Sequence, residues 1–259
     1  MQQQHKQAVW ALIITFALIT ISLVTEFESY SQVSGNKNAP REVDFSKFPI
    51  IESDSPEPAD PTARAKLAAK GKKYNNKHLP VINESSDGTF VVNNSLGGLS
   101  ALPIDKSSAV IVGKIVKASA HFSEDKTAIY SDFGVKIESV LKNDSKIVLA
   151  ATESVSVERY GGRIRFPSGK TVVCAIDHQD MPQIASRYVL FLSNDFPLDG
   201  HSDEDFYILM GYELKDGKVF PLDETSLKHP ISAYVGTDES ILFAKLSSAL
   251  ANTREALPK

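Results

Sequence analysis

The chain has 259 residues with average apolar content and mixed charges, which leaves room for one domain of ordinary size beside an anchor and a tail. Its formal net charge is only −4, which argues against a dedicated nucleic-acid binder. One cysteine, Cys174, excludes an intrachain disulfide, so the fold must depend on its hydrophobic core.

Residues 8–24 form an uncharged, strongly apolar run near the N-terminus. With 17 residues, the run is at the short end of what spans a bilayer as one helix. His5 and Lys6 precede it, whereas Glu26 and Glu28 follow it. This asymmetry predicts a cytoplasmic tail over residues 1–7 and an extracytoplasmic location for the rest of the chain.

Two other interpretations of residues 8–24 stay open. A cleaved signal peptide has a similar charged and apolar layout and would leave a secreted or periplasmic protein, but no small-residue cleavage pattern follows the run. A buried core helix of this character would have to be covered on every side. The favoured prediction is an uncleaved, single-pass anchor in the cytoplasmic membrane.

Residues 25–60 are polar and aperiodic, which predicts a flexible spacer. Residues 61–106 are assigned to a short basic helix and a lead-in. Asp60 and Pro61 form a good helix start, and Gly71 is a candidate end. The basic helix either contacts anionic lipid headgroups or docks beside the domain, and docking is favoured.

Strand patterns fill residues 107–236, the predicted β domain. A β-branched run at residues 109–116 predicts a strand, and residues 129–141 alternate between apolar and polar. The apolar run 188–192 predicts a central strand, and Lys215-Asp216-Gly217 predicts a hairpin turn. Residues 237–259 are assigned to a C-terminal amphipathic helix, capped by Thr237, and a tail.

A further hairpin is predicted over residues 155–166 around Gly161-Gly162. A two-residue turn there pairs Tyr160 with Arg163 and Glu158 with Arg165 on one face. Two arginines beside a tyrosine suit a carboxylate, a phosphate or a sugar ring. The predicted ligand-binding surface therefore consists of Glu158, Tyr160, Arg163 and Arg165. The simpler interpretation is an ordinary solvated face on which the Glu158–Arg165 ion pair fixes the strand register.

Strands outnumber helices, and tight turns follow them. The predicted fold is mainly β, an OB-like Greek-key barrel with an added hairpin and C-terminal helix, preceded by one N-terminal transmembrane helix.

A resemblance to a known group runs through roughly residues 60–245. It is carried by SSAVIVGKIV, YSDFGVKIESVLKND, RYGGRIRFPSGK, SRYVLFLSND and DFYILMGYELKDGKVFPLD. This series resembles a family of uncharacterised bacterial proteins, exported or membrane-anchored and common in soil acidobacteria. The resemblance implies export and a shared β domain, and it implies no catalytic residues.

The strand order and the YVLFL strand are also distantly similar to netrin-like OB barrels, the fold of tissue metalloproteinase inhibitors. Those inhibitors rely on an N-terminal cysteine and disulfides. Neither is present in this chain.

The sequence contains none of the common catalytic or nucleotide-binding motifs, and no catalytic residue, metal site or cofactor is predicted. The clusters at residues 177–180 and 201–205 carry ligand types but lack the spacing of known metal loops, so solvated loops are expected.

These observations favour a non-enzymatic, extracytoplasmic binding or interaction module. It contacts membrane lipid through its N-terminal helix, and an envelope protein or glycan is the expected further partner. The alternatives are an envelope hydrolase with a site formed between strands and a structural component of an envelope complex.

Overall fold

The computed structural model of the protein describes residues 43–75, 81–84, 89–92, 99–196, 200–201, 204–223 and 230–255. The predicted cytoplasmic tail and membrane anchor lie outside these ranges. Among the described residues, no helix combines the length and the apolar character required to cross a bilayer.

The fold is centred on a long antiparallel pair, β4 (Ala109–Phe122) and β5 (Ile129–Asn143). The predicted alternation is confirmed over the middle of β5. Phe133, Val135 and Ile137 are buried there, and the residues between them are more exposed. The connecting turn is built around Asp125, whose carboxylate accepts hydrogen bonds from the Ser123 hydroxyl and the Thr127 amide.

Three more strands complete a ring with this pair: β6 (Ser154–Tyr160), β9 (Arg187–Ser193) and β12 (Phe206–Lys215). Neighbours follow the order β12–β6–β5–β4–β9, and β9 pairs again with β12. The β6–β12 pair is parallel, and the other pairs of the ring are antiparallel. Strand β9 therefore has neighbours on both sides, as the apolar run at residues 188–192 predicts.

One apolar core cluster takes side chains from all five strands of the ring. Its members include Ile111, Phe133, Val157, Leu190 and Ile208. A second cluster takes the alternate residues of the same strands, such as Val110, Tyr130, Tyr160, Phe191 and Tyr212. Successive side chains of a strand point to opposite faces, so both faces of the ring are covered over much of their length. Each buried side chain of this size contributes about 1.5–3 kcal/mol relative to exposure.

A second sheet has the order β1–β7–β8–β3–β2. Its strands are β1 (Ile50–Glu52), β2 (Val81–Glu84), β3 (Thr89–Val92), β7 (Gly162–Arg165) and β8 (Thr171–Ile176). A turn at residues 167–169 joins β7 to β8. The β1–β7 and β3–β8 pairs are parallel, which local sequence patterns do not reveal.

Several short elements complete the described chain. A two-stranded ribbon pairs β10 (Asp195–Phe196) with β11 (Gly200–His201). Strand β13 (Lys218–Pro221) forms the predicted hairpin with β12 around Asp216-Gly217. One 3-10 turn covers Phe45–Lys47 and another covers Pro230–Tyr234.

Two helices belong to the described residues: α1 (Pro61–Lys72) and α2 (Glu239–Glu255). Helix α2 buries Leu242 and Leu246 as predicted, whereas Ile241 is 46% exposed. The prediction that Thr237 caps α2 is wrong. Asp238 precedes the first helical residue, and the Thr237 hydroxyl donates instead to the Tyr234 carbonyl at 2.9 Å.

The predicted boundaries before residue 107 need correction. Residues 43–60 were assigned to a flexible spacer, but Phe48 is buried and β1 pairs with β7. Residues 61–106 were assigned to a helix and a lead-in, but β2 and β3 belong to the second sheet. The error arose because strands of three or four residues are too short to show a period, and their partners are distant in sequence.

Candidate functional site

Helix α1 begins as the sequence predicts. Asp60 caps it by accepting hydrogen bonds from the amides of Thr62 and Ala63 at 3.1 and 3.2 Å, and Pro61 occupies the first turn. Residues 61–66 are exposed, so the first turns of the helix lie in solvent. The second half of the helix approaches the ring, where Leu67 packs against the core. Gly71 is buried there, and a Cβ at that position would lie 3.0 Å from the Glu124 amide nitrogen.

Lys70, in the last turn of α1, contacts three carboxylates of the ring and its loops. Its Nζ lies 2.7 Å from Asp132 Oδ1, 2.8 Å from Glu158 Oε1 and 3.7 Å from Asp205 Oδ1. Lys73 forms a second ion pair with Asp205 and lies 3.9 Å from Glu158. We call these five residues the charged cluster.

Strand register brings the carboxylates of the charged cluster together. Asp132 on β5 is directly opposite Glu158 on β6, and Glu158 is directly opposite Tyr207 on β12. Directly opposed residues share one face of a sheet, so Asp132 and Glu158 present both carboxylates to α1. Asp205 immediately precedes β12 and reaches the same place.

Glu158 is the most deeply placed carboxylate of the cluster, with no exposed side-chain surface. Its Oε2 accepts a hydrogen bond from the Tyr74 hydroxyl at 2.7 Å. Its Oε1 lies close to Lys70 with angles outside hydrogen-bond geometry. A buried carboxylate costs several kcal/mol to desolvate, so this ion pair and hydrogen bond are needed to hold it charged.

Buried tyrosines form a layer beside the charged cluster. The Tyr74 and Tyr130 rings are stacked with centroids 4.5 Å apart and an interplanar angle of 6°, and Tyr160 lies 6.4 Å from Tyr74. Burial raises the pKa of all three phenols well above 10, so they are protonated at neutral pH. Among the described residues, the Tyr130 hydroxyl has no hydrogen-bond partner.

His121 lies at the edge of the charged cluster, with Nε2 3.4 Å from Asp132 Oδ2. Burial lowers the pKa of His121, and the positive charges of Lys70 and Lys117 add to that effect while Asp132 opposes it. The imidazole is therefore neutral at pH 7. The charged cluster and the neighbouring His121 bring carboxylates and an imidazole together, but Lys70 of α1 already lies within 3.7 Å of all three carboxylates.

The predicted hairpin around Gly161-Gly162 is wrong. Strand β6 pairs with β5 and β12, whereas β7 pairs with β8 and β1, so the two strands belong to different sheets. The glycines form the corner between the sheets. Gly161 has a φ of +104°, and a Cβ there would lie 2.8 Å from the Cys174 carbonyl oxygen, which accounts for glycine at this position.

The four predicted ligand-binding residues are consequently separated. Glu158 belongs to the charged cluster, and the buried Tyr160 hydroxyl accepts a hydrogen bond from the Cys174 thiol at 3.4 Å. Arg163 Nε donates to the Phe48 carbonyl at 2.9 Å. Arg165 pairs with Glu52 at the surface. No single face carries all four.

The loop at residues 177–180 is not simply solvated. Gln179 and Asp180 are buried, and the Gln179 side-chain amide nitrogen donates to the Tyr160 carbonyl at 2.8 Å. Arg159, also buried, donates to the Asp180 carbonyl and places Nη2 2.7 Å from both oxygens of Asp223. Within the described ranges, no group of three or more histidine, cysteine or acidic residues is arranged to hold a metal ion.

Sequence reasoning missed the charged cluster because its members come from α1, β5, β6 and the segment before β12. The one local signal is the three-residue spacing of Lys70 and Lys73, which places both side chains on one face at the end of a basic helix. Asp132 is one of the polar residues that alternate with apolar ones over residues 129–141, a pattern typical of a strand with one solvated side. That side is covered by α1 at this point, and 19% of the Asp132 side chain is exposed.

Comparisons with known proteins give no relative: no family model matches the chain, and neither a curated protein nor a solved structure shows significant similarity to it. The resemblance to exported bacterial proteins therefore stays a prediction.

Proposed function

We propose that this chain is a membrane-tethered, extracytoplasmic binding or interaction module. The apolar run at residues 8–24 and its flanking charges support the tether and its orientation. The lipid bilayer is the first partner, held through the N-terminal helix, and an envelope protein or glycan is the further partner expected of such a module.

The β domain fits an OB-like Greek-key barrel. Three observations support this assignment: the order β12–β6–β5–β4–β9, the return of β9 to β12, and the parallel pairing of β6 with β12. A five-stranded ring with one shared apolar core is typical of OB-type barrels, which commonly bind through one open face and its loops. This step from fold to binding is an analogy, so the choice of function rests on the site.

The observation that favours binding over hydrolysis is the pairing of Lys70 with Asp132 and Glu158. A carboxylate that serves as a general acid or nucleophile must reach a substrate and exchange a proton. Here the convergent carboxylates are bound by lysines of α1, and Glu158 is fully buried. The cluster therefore acts as a lock that fixes α1 on the ring, and the ring surface beyond α1 is left for partners.

Crosslinking in intact cells tests this function on the full chain. A membrane-impermeant amine crosslinker is expected to join exposed lysines such as Lys126 to envelope components, and Lys126 is exposed on the β4–β5 turn. Substitution Lys126→Arg serves as the matched control for amine reactivity. Adducts formed only with a permeant reagent, and only with cytosolic proteins, would contradict the proposal.

A further inference from the structure

Two lysines face each other on the outer surface of the ring without a carboxylate between them. Lys114 on β4 is directly opposite Lys136 on β5, and both are exposed. Like charges in directly opposed positions are unfavourable. Lys136 donates to the Thr152 carbonyl, and neither lysine forms an ion pair with a described residue. Glu138, two positions along β5, is engaged by Arg187 at 2.6 Å.

A β-bulge presents an apolar side chain beside these lysines. The register of β4 and β5 shifts between Ile115 and Lys117, so Val116 has no partner residue on β5. Val116 is 51% exposed, and the exposed Lys117 follows it opposite Gly134. Bulges re-aim side chains, and this one directs a valine outward from a strand whose other apolar residues are largely buried.

A strained turn presents a second apolar side chain next to the bulge. Ile184 is 59% exposed, and Ala185 after it has a φ of +70°, a left-handed conformation that is unfavourable for alanine. The turn is fixed to β4, since the Ala185 amide donates to the Ile115 carbonyl at 2.9 Å and the Ile115 amide donates to Ser186 at 3.0 Å. Ile184 therefore precedes a residue whose backbone is hydrogen-bonded to β4 immediately before the bulge, and its side chain is exposed.

We propose that this lysine–apolar surface, formed by Lys114, Val116, Lys117, Lys136 and Ile184, docks the domain on the anionic lipid surface of the membrane that holds its anchor. The inference rests on the proposed tether. Three lysines supply the charge complementary to anionic headgroups, and each contributes about fivefold to the contact equilibrium. Val116 and Ile184 supply apolar side chains that enter the headgroup boundary.

The basic helix α1 is the alternative surface for lipid contact. The ion pairs that its basic side chains form within the protein argue against this role. Lys70 and Lys73 are engaged by the charged cluster, and Arg64 lies 3.4 Å from Glu57. Lys66 and Lys72 remain exposed on α1. They provide a matched pair of lysines for comparison with Lys114 and Lys136.

Depth-dependent quenching tests the docking on the full chain in proteoliposomes. A fluorophore is placed at Ile184→Cys in a Cys174→Ala background, and quencher-labelled lipids report its contact with the bilayer. Strong quenching is expected with phosphatidylglycerol vesicles and little with phosphatidylcholine alone. A fluorophore at Ser168→Cys, on the exposed turn between β7 and β8, should stay unquenched in both.

Charge neutralisation identifies the surface responsible. Lys114→Gln with Lys136→Gln should weaken the contact about 30-fold, whereas Lys66→Gln with Lys72→Gln should leave it unchanged. Equal loss with the α1 pair would overturn the inference. Absence of quenching at position 184 in anionic vesicles would overturn it as well and would leave the surface to an acidic protein partner. Both of these results concern only the lysine–apolar surface. If Ser168→Cys is accessible to reagents outside intact cells, the proposed tether holds whether or not the surface binds lipid.

Discussion

Lys70 at the end of α1 lies 2.8 Å from Glu158 in the middle of β6, a carboxylate with no exposed surface. The pair joins a largely solvated helix to the centre of the ring. Removing one member of a buried ion pair leaves an uncompensated charge, which is the costly case.

Lys70→Met is therefore expected to lower the free energy of unfolding by about 3–5 kcal/mol. Lys66→Met, on the exposed part of α1, should change it by less than about 0.5 kcal/mol. Adding Glu158→Gln to Lys70→Met should recover part of the loss. Urea unfolding followed by circular dichroism measures these values, since the only tryptophan, Trp10, lies in the predicted anchor. Equal effects of the two lysine substitutions would contradict the lock.

A second buried ion pair, between Arg159 and Asp223, contrasts with the surface pair that Arg165 forms with Glu52. Asp223→Ala leaves the fully buried Arg159 guanidinium without its carboxylate, and about 3–5 kcal/mol of stability should be lost. Glu52→Ala removes the partner of Arg165 at the surface, where water screens the charges, so stability should change much less. The same unfolding experiment compares the two. A larger loss of unfolding free energy for Glu52→Ala than for Asp223→Ala would contradict the burial of the Arg159–Asp223 pair.

The corner between the two sheets should tolerate no side chain at Gly161. Gly161→Ala combines a positive φ with a contact of 2.8 Å to a backbone carbonyl, and a loss of about 3 kcal/mol or more is expected. Gly169 also has a positive φ, but a Cβ there meets nothing within 4 Å. Gly169→Ala should therefore cost only about 1 kcal/mol. Similar costs at both sites would argue for a simple turn at Gly161.

His121 should make stability depend on pH. Burial holds its folded-state pKa below the ordinary value of 6.5, so the unfolded chain binds the proton more readily. The contribution of His121 to the free energy of unfolding is fully present above pH 6.5. It is lost as the pH falls below that value towards the folded-state pKa of His121. The difference in unfolding free energy between the native protein and His121→Gln should shrink over that range. A difference independent of pH would show that His121 is not the group responsible.

Local patterns were sufficient for the elements that carry their own period or cap. The alternation of β5, the start of α1 at Asp60-Pro61 and the hairpin at Asp216-Gly217 are all present. Gly161-Gly162 has the same local appearance as a hairpin turn, yet the chain leaves the ring there for the second sheet. Whether the chain forms a hairpin or a corner at Gly161-Gly162 depends on distant strand partners, such as Cys174 opposite Gly162. A local turn pattern carries no information about those partners.

The charged cluster was beyond local sequence patterns for the same reason. Lys70 and Asp132 are 62 positions apart, and Tyr74 and Glu158 are 84 apart. The sequence marked Glu158 for the wrong surface, because its assumed partner Arg165 follows a corner and lies in another sheet. Buried polar contacts of this kind are determined by strand register, which needs the topology first.

The tether with an extracytoplasmic domain is the central claim, and accessibility labelling in intact cells tests it directly. Ser168→Cys in a Cys174→Ala background places one thiol on an exposed turn. An impermeant maleimide should label it in intact cells with a permeable outer envelope, and the labelled full-length chain should stay in the membrane after carbonate washing. Labelling that appears only after the cytoplasmic membrane is broken, or a chain that washes off freely, would contradict the account.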